Sequence, residues 1–167
     1  MDLRQLQQEY LDNLRKVTEE KLEIGTLIRT VISIDEGLVF KDGRKQKPKK
    51  MVIIGVDSER QICYGSVLVN TKMSPKSAYS EPFFATQYLL LQTNYPDFLK
   101  YDSYVDCGML FSIPLKKLLE GEYFGKLTEA DLQGIFDVLK TTETLTVKEK
   151  KRFGIKKCQR DRSVASA

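Results

Sequence analysis

Between Ile24 and Ile113 the chain is a succession of short apolar runs, rich in β-branched residues and cut by turn formers, a pattern that leaves few architectures open. The most telling run is Met51-Val52-Ile53-Ile54-Gly55-Val56. It is too short for an ordinary helix and apolar without alternation, which predicts a strand buried on both faces. Ile24–Ile34, Leu38-Val39-Phe40, Ile62–Thr71, Tyr88–Gln92 and Ser103–Ile113 read as further strands. Asp35-Glu36-Gly37, Asp57-Ser58-Glu59-Arg60 and Asn94-Tyr95-Pro96-Asp97 supply turns between them. Lys41–Lys50 reads as a polar loop, and residues 72–87, with Pro75 and Pro82, as irregular. Gly65 marks a bulge or a close backbone approach, and Gly108 an interruption.

Helices flank this core. Asp2 can cap a helix over residues 2–22, in which Leu3, Leu6, Tyr10, Leu14 and Val17 recur at spacings of three and four. That stripe predicts packing on the domain's own surface, with a partner-binding or dimer-forming helix as the alternative. Pro114 suits the start of a short helix with Leu115, Leu118 and Leu119, stopped by Gly121. Thr128 caps the next helix, with Asp131 three residues on and Leu132, Ile135, Phe136 and Leu139 on its apolar face. Length of 167 residues fits one domain. The expected class is therefore α+β, mostly β, a small barrel or strongly bent sheet with helices at its ends. The expected organisation is an N-terminal helix over 1–23, a barrel domain over 24–145 and a basic tail over 146–167.

Composition narrows the chemistry. Histidine is absent, which removes the Ser–His and Cys–His nucleophile pairs and the commonest metal ligand. Cys63, Cys107 and Cys158 form no CxxC pair, so the pattern predicts buried free thiols, no metal site and no cofactor. No run is long and apolar enough to span a membrane, and Met1-Asp2-Leu3-Arg4-Gln5 is unlike a signal peptide. A cytoplasmic location is the expectation. The net charge of +4 is modest, but it is concentrated. Lys41, Arg44, Lys45, Lys47, Lys49 and Lys50 crowd one loop, and Lys148, Lys150, Lys151, Arg152, Lys156, Lys157, Arg160 and Arg162 crowd the tail. Such clusters suit phosphates, and tyrosines could stack bases. Asn70-Thr71-Lys72-Met73-Ser74 places hydroxyls, an amide and an amine at a strand end, where they can bond a phosphate. Asp102 and Asp106 read as acceptors for local backbone donors rather than as an acid–base pair.

These residues bring a family into view. Ser103 through Leu145 resembles the C-terminal half of the MazF/PemK/Kid-like toxins: a strand ending in Ser112-Ile113, the short helix Lys116-Lys117-Leu118, then Gly125-Lys126-Leu127-Thr128 and a final helix over Asp131–Leu139. Upstream, Lys49-Lys50-Met51-Val52-Ile53-Ile54 is similar to the strand after the family's first long loop, and Val67-Leu68-Val69-Asn70-Thr71 to the next strand, which ends in a functional hydroxyl. The order of elements matches over residues 24–145. Two departures stand out: Lys49-Lys50 replaces the family's Arg-Pro, and Gly25-Thr26 its Gly-Asp.

The resemblance implies an SH3-like barrel, a homodimer, and an RNA endonuclease held in check by a small acidic antitoxin protein. Its chemistry uses neither metal nor histidine. Residue by residue it implies catalytic roles for Lys49, in the place of the arginine, and Thr71, in the place of the hydroxyl. Arg44, Lys47, Lys50, Lys72 and Ser74 would contact the nucleic acid. Because lysine lacks the bidentate guanidinium fork, a non-catalytic nucleic-acid- or protein-binding barrel remains the alternative.

Overall fold

A computed structural model describes residues 2–37, 40, 43–57, 62–69, 85–152 and 155. It contains helix α1 (Leu3–Lys21), strands β1 (Thr26–Ser33), β2 (Gln46–Asp57), β3 (Ile62–Val69), β4 (Gln87–Leu90) and β5 (Ser103–Pro114), helix α2 (Leu115–Leu119), strand β6 (Glu122–Lys126), and helices α3 (Glu129–Thr141) and α4 (Val147–Arg152). The six strands form a sheet in the order β4-β5-β3-β2-β1-β6. The mostly-β α+β class stands, with β4 and β6 as the sheet's edges rather than as partners closing it.

Close contacts divide the chain into two units. One comprises Met1–Leu68 with Leu110–Leu127, the other Val69–Met109 with Thr128–Ala167, so that β5 runs from the second into the first.

The first unit is built on β1, β2 and β3. Ile28 lies opposite Met51 in the β1–β2 ladder, and Met51 opposite Val67 in the β2–β3 ladder. These residues, with Ile32, Ile53, Cys63, Phe111, Ile113, Leu115 and Leu118, form one buried cluster. Met51–Ile54 are all buried, which is what the unalternating run predicts. The β2–β3 register shifts between Ile53 opposite Gly65 and Gly55 opposite Tyr64, leaving Ile54 as an extra residue on β2. Gly65 is therefore a close-approach site and the bulge lies across from it. A Cβ on Gly65 would stand 2.6 Å from the Met51 Cε and 3.1 Å from the Val52 carbonyl oxygen.

Two parts of this unit differ from the sequence reading. The segment expected as a polar loop to Lys50 is strand from Gln46 onward, because Gln46–Lys50 pair with Arg29–Ser33. Pro48, which has no N–H to give, is tolerated there because pairing with β3 runs from Met51 onward. Strand β6, which follows the expected stop at Gly121, is short and charged, so no hydrophobic period announces it. Gly121 sits tight against β1: a Cβ there would meet the Arg29 carbonyl oxygen at 2.7 Å.

In helix α1, Leu3, Leu6 and Tyr10 are 81%, 51% and 56% exposed. The expected packing of that half of the stripe on the domain's surface is not met; a periodic pattern specifies a face and leaves open what covers it.

In the second unit β4 pairs with β5, Leu90 opposite Ser103 and Gln87 opposite Asp106, and α3 packs on β4. Leu90, Phe98, Leu99, Val105, Ile135 and Leu139 are buried. Thr128 caps α3 as expected, its hydroxyl accepting from Asp131 N–H. The Asp131 carboxylate does not complete a capping box. It accepts from the Tyr88 hydroxyl at 2.8 Å and from the Tyr95 hydroxyl. The expected basic tail begins as helix α4, and Ile155 beyond it is buried. Strand Leu38-Val39-Phe40, apart from Phe40, the turn residues Ser58-Glu59-Arg60 and Cys158 lie outside the described residues. Cys63 and Cys107 are buried free thiols, and burial pushes each up to about 12.

Candidate functional site

The basic run divides when it enters the ladder. Arg44 and Lys45 precede β2 and are exposed. Within β2, Lys47 stands opposite Ile32, Lys49 opposite Thr30 and Lys50 opposite Arg29. Side chains alternate across a sheet, so Lys47 and Lys49 share the face of Ile28 and Ile32, whereas Lys50 shares the opposite face with Arg29. The three lysines are half-buried. Among the described residues neither Lys45 nor Lys47 makes an ion pair. Of the expected nucleic-acid-binding residues the structure thus brings Arg44, Lys47 and Lys50 to one end of the β1–β2 ladder, beside Lys49. Thr71, Lys72 and Ser74 lie outside the described residues.

Arg29 was not singled out by the sequence, since it sits inside an apolar strand and only register shows what stands opposite it. Its guanidinium reaches Glu122 Oε1 at 3.4 Å. An exposed pair of this kind contributes little, so Arg29 can change partner readily.

Next to Arg29 lies an open groove of about 470 Å³, formed by β1, the start of β2 and the junction of α2 with β6. Val31 and Pro48, an exposed cross-strand pair, make its apolar wall. Gln46, Lys117, Glu120 and Glu122 make its polar one.

Lys117 is fixed from behind. Its ammonium donates to Glu36, whose side chain is only 6% exposed, and lies 3.4 Å from the Ser33 hydroxyl. Glu36 also accepts from Ser33 N–H at 2.7 Å and from the Ser33 hydroxyl. Burial alone would raise the Glu36 carboxyl, but the Lys117 ammonium and the two Ser33 donors outweigh it and hold the pKa below the ordinary value. Ser33 and Glu36 form a capping box around a single 3₁₀ turn. The S-x-x-E spacing was a readable signal for this box; its ion pair with Lys117, far along the chain, was not.

The carboxylates set aside by the sequence behave as expected. Asp102 accepts from Gln92 N–H at 2.8 Å, and Asp106 from Gly108 N–H at 2.9 Å. Among the described residues no group of three or more Asp, Glu or Cys side chains is placed to hold a metal ion. No helix among them is long and apolar enough to cross a membrane.

No known protein-family profile matches the chain, and no curated protein matches it. Among solved structures it is similar to the Mycobacterium tuberculosis toxin MazF-mt6, with 16% identity and a TM-score of 0.46 over 71% of this chain and 98% of that one. The resemblance to MazF-like toxins is a distant one.

Proposed function

We propose that this protein is a MazF/PemK-like toxin, a metal-independent endoribonuclease of a toxin–antitoxin system. The observation that carries the reading is the gathering of cations at one end of the β1–β2 ladder, on both of its faces, in a chain that has no histidine. RNA supplies its own nucleophile, the ribose 2′-hydroxyl, so the protein need only accept a proton, donate one to the leaving 5′-oxygen and stabilise the charge on the phosphorus-centred transition state. In this reading the Lys49 ammonium meets that charge and Thr71 bonds the phosphate. Val67 on β3 stands opposite Met51, two residues along β2 from Lys49, and Thr71 follows Val67 by four residues in the chain. Arg44, Lys47, Lys50, Lys72 and Ser74 hold the strand. The active form is a cytoplasmic homodimer, and a small protein with an acidic segment neutralises it by covering the same cations.

The purified protein should cut single-stranded RNA in the presence of EDTA, leave a 2′,3′-cyclic phosphate and spare DNA. Lys49→Ala and Thr71→Ala should each lower the rate on the order of a hundredfold while changing affinity little. Affinity should fall by roughly 0.7 log units per log unit of salt for each phosphate contact. RNA left whole although bound makes the protein a binding module; cleavage that requires magnesium overturns the mechanism.

A further inference from the structure

The groove beside Arg29 is of a size that takes a small organic ligand, and its walls differ in chemistry. Val31 and Pro48 offer a flat apolar surface on the same ladder face as Arg29 and Lys50. Arg29 is tied only to Glu122, whose side chain is 66% exposed. Lys117 is occupied by Glu36 and Ser33. Glu120 differs from its neighbours. It ends α2 and is exposed, and among the described residues its carboxylate has neither an ion pair nor a hydrogen bond. The groove therefore holds one apolar wall, one exchangeable guanidinium and one carboxylate with open acceptors.

We propose that this groove is a base-reading subsite of the RNA interface and that the base it takes is guanine. The inference rests on the reading of this ladder as an RNA site. A base laid on Val31 and Pro48 turns its hydrogen-bonding edge toward α2, and its phosphate lies toward Arg29 and Lys50. The Glu120 carboxylate then accepts two parallel bonds, from guanine N1–H and from its N2 amino group. Bidentate, charge-assisted pairs of this kind are both strong and geometrically selective. Guanine is the one common base with two adjacent donors on that edge. Adenine and cytosine place an acceptor nitrogen beside their amino group, and uracil flanks its N–H with carbonyls, so each turns a lone pair on the carboxylate. Single-stranded RNA exposes these edges for such reading.

The test is calorimetric titration of the full-length protein with GMP, AMP, CMP and UMP in low salt. GMP should bind about tenfold more tightly than the other three, the discrimination typical of one bidentate contact. Glu120→Gln should abolish that preference without lowering thermal stability, because the Glu120 side chain is exposed and has no bond among the described residues. Arg29→Ala should weaken all four nucleotides alike. Equal binding of the four, no binding of any, or a preference that survives Glu120→Gln overturns the proposal. A guanine preference without RNA cleavage upholds the subsite and sinks the endoribonuclease reading. Cleavage without nucleotide preference does the reverse.

Discussion

Glu36 in one unit and Asp131 in the other each gather several donors around one carboxylate, but the donors differ in kind. Around Glu36 they are the Lys117 ammonium, the Ser33 hydroxyl and the Ser33 N–H, at the edge of the groove. Around Asp131 they are the phenols of Tyr88 and Tyr95, with Tyr95 also accepting from Thr128 N–H at 3.1 Å. The first cluster draws on opposite charges and keeps a cation in place beside a candidate ligand site. The second has neutral donors and pins the start of α3 to β4 and to Tyr95, which ends the 3₁₀ turn Gln92–Asn94 after β4. A polar cluster that must present a charge to a ligand is built differently from one that only fastens two elements, and the two should respond to opposite ends of the pH scale.

The largest effect is expected where the fastening cluster is broken sterically. A Cβ on Gly134 would lie 2.3 and 2.6 Å from two ring carbons of Tyr88 and 2.7 Å from its hydroxyl oxygen. Gly134→Ala should therefore push the ring off α3 and destabilise by about 1–3 kcal/mol, even though alanine gains about 1 kcal/mol in a helix interior. Urea denaturation reads this, and a neutral or stabilised variant would break the picture of Tyr88 seated on the helix.

Glu36→Gln should come next, at about 1–2 kcal/mol near neutral pH, since Lys117 keeps partial contact with water. The folded pKa of Glu36 is depressed. Its contribution is thus full above the ordinary carboxylate value and is lost as pH falls through the folded one. Stability measured against pH should show wild type and variant converging in acid and parallel above neutrality. Curves that stay parallel into strong acid contradict the ionic character assigned to this cluster.

Tyr88→Phe should have the smallest effect, about 1 kcal/mol for one hydrogen bond. Burial, then the bond to Asp131 and its charge, raise Tyr88 to about 12. A raised pKa means a contribution that is full below the ordinary value near 10 and is lost as pH climbs through the folded one. The difference from wild type should be constant from pH 7 to 9 and close only in strong alkali. A difference that closes in acid instead would erase the contrast between the two clusters.

Much of the fold was legible because its signals are local. The strand Met51–Val56, buried through Ile54, the cap at Thr128 and the acceptors Asp102 and Asp106 all depend on residues near one another in sequence. The parts that escaped depend on register. Nothing in Ile28-Arg29-Thr30-Val31 says that Arg29 will stand opposite Lys50 and against Glu122, and nothing in Lys116-Lys117 says that one lysine will close over Glu36. The candidate site was legible as a composition of basic residues. Its division into a Lys47–Lys49 face and an Arg29–Lys50 face was not, because which residue of a strand faces which way is settled by its partner. Gln46–Lys50 misled for the same reason: a polar stretch becomes strand when a neighbour pairs with it.

The extra residue at Ile54 has a consequence for how this chain can vary in length. Met51 and Ile53 lie in the central cluster, and beyond the bulge it is Val56 that packs against it, so the residues facing the cluster change from odd to even numbers along one strand. Elsewhere in a central strand, gaining or losing one residue would turn every following side chain to the wrong face. At Ile54 the parity has already been switched once, with Gly65 and the Met51 side chain filling the space opposite. The bulge is therefore a splice point, where the ladder's two halves keep separate counts and can drift apart in evolution without either being rewritten.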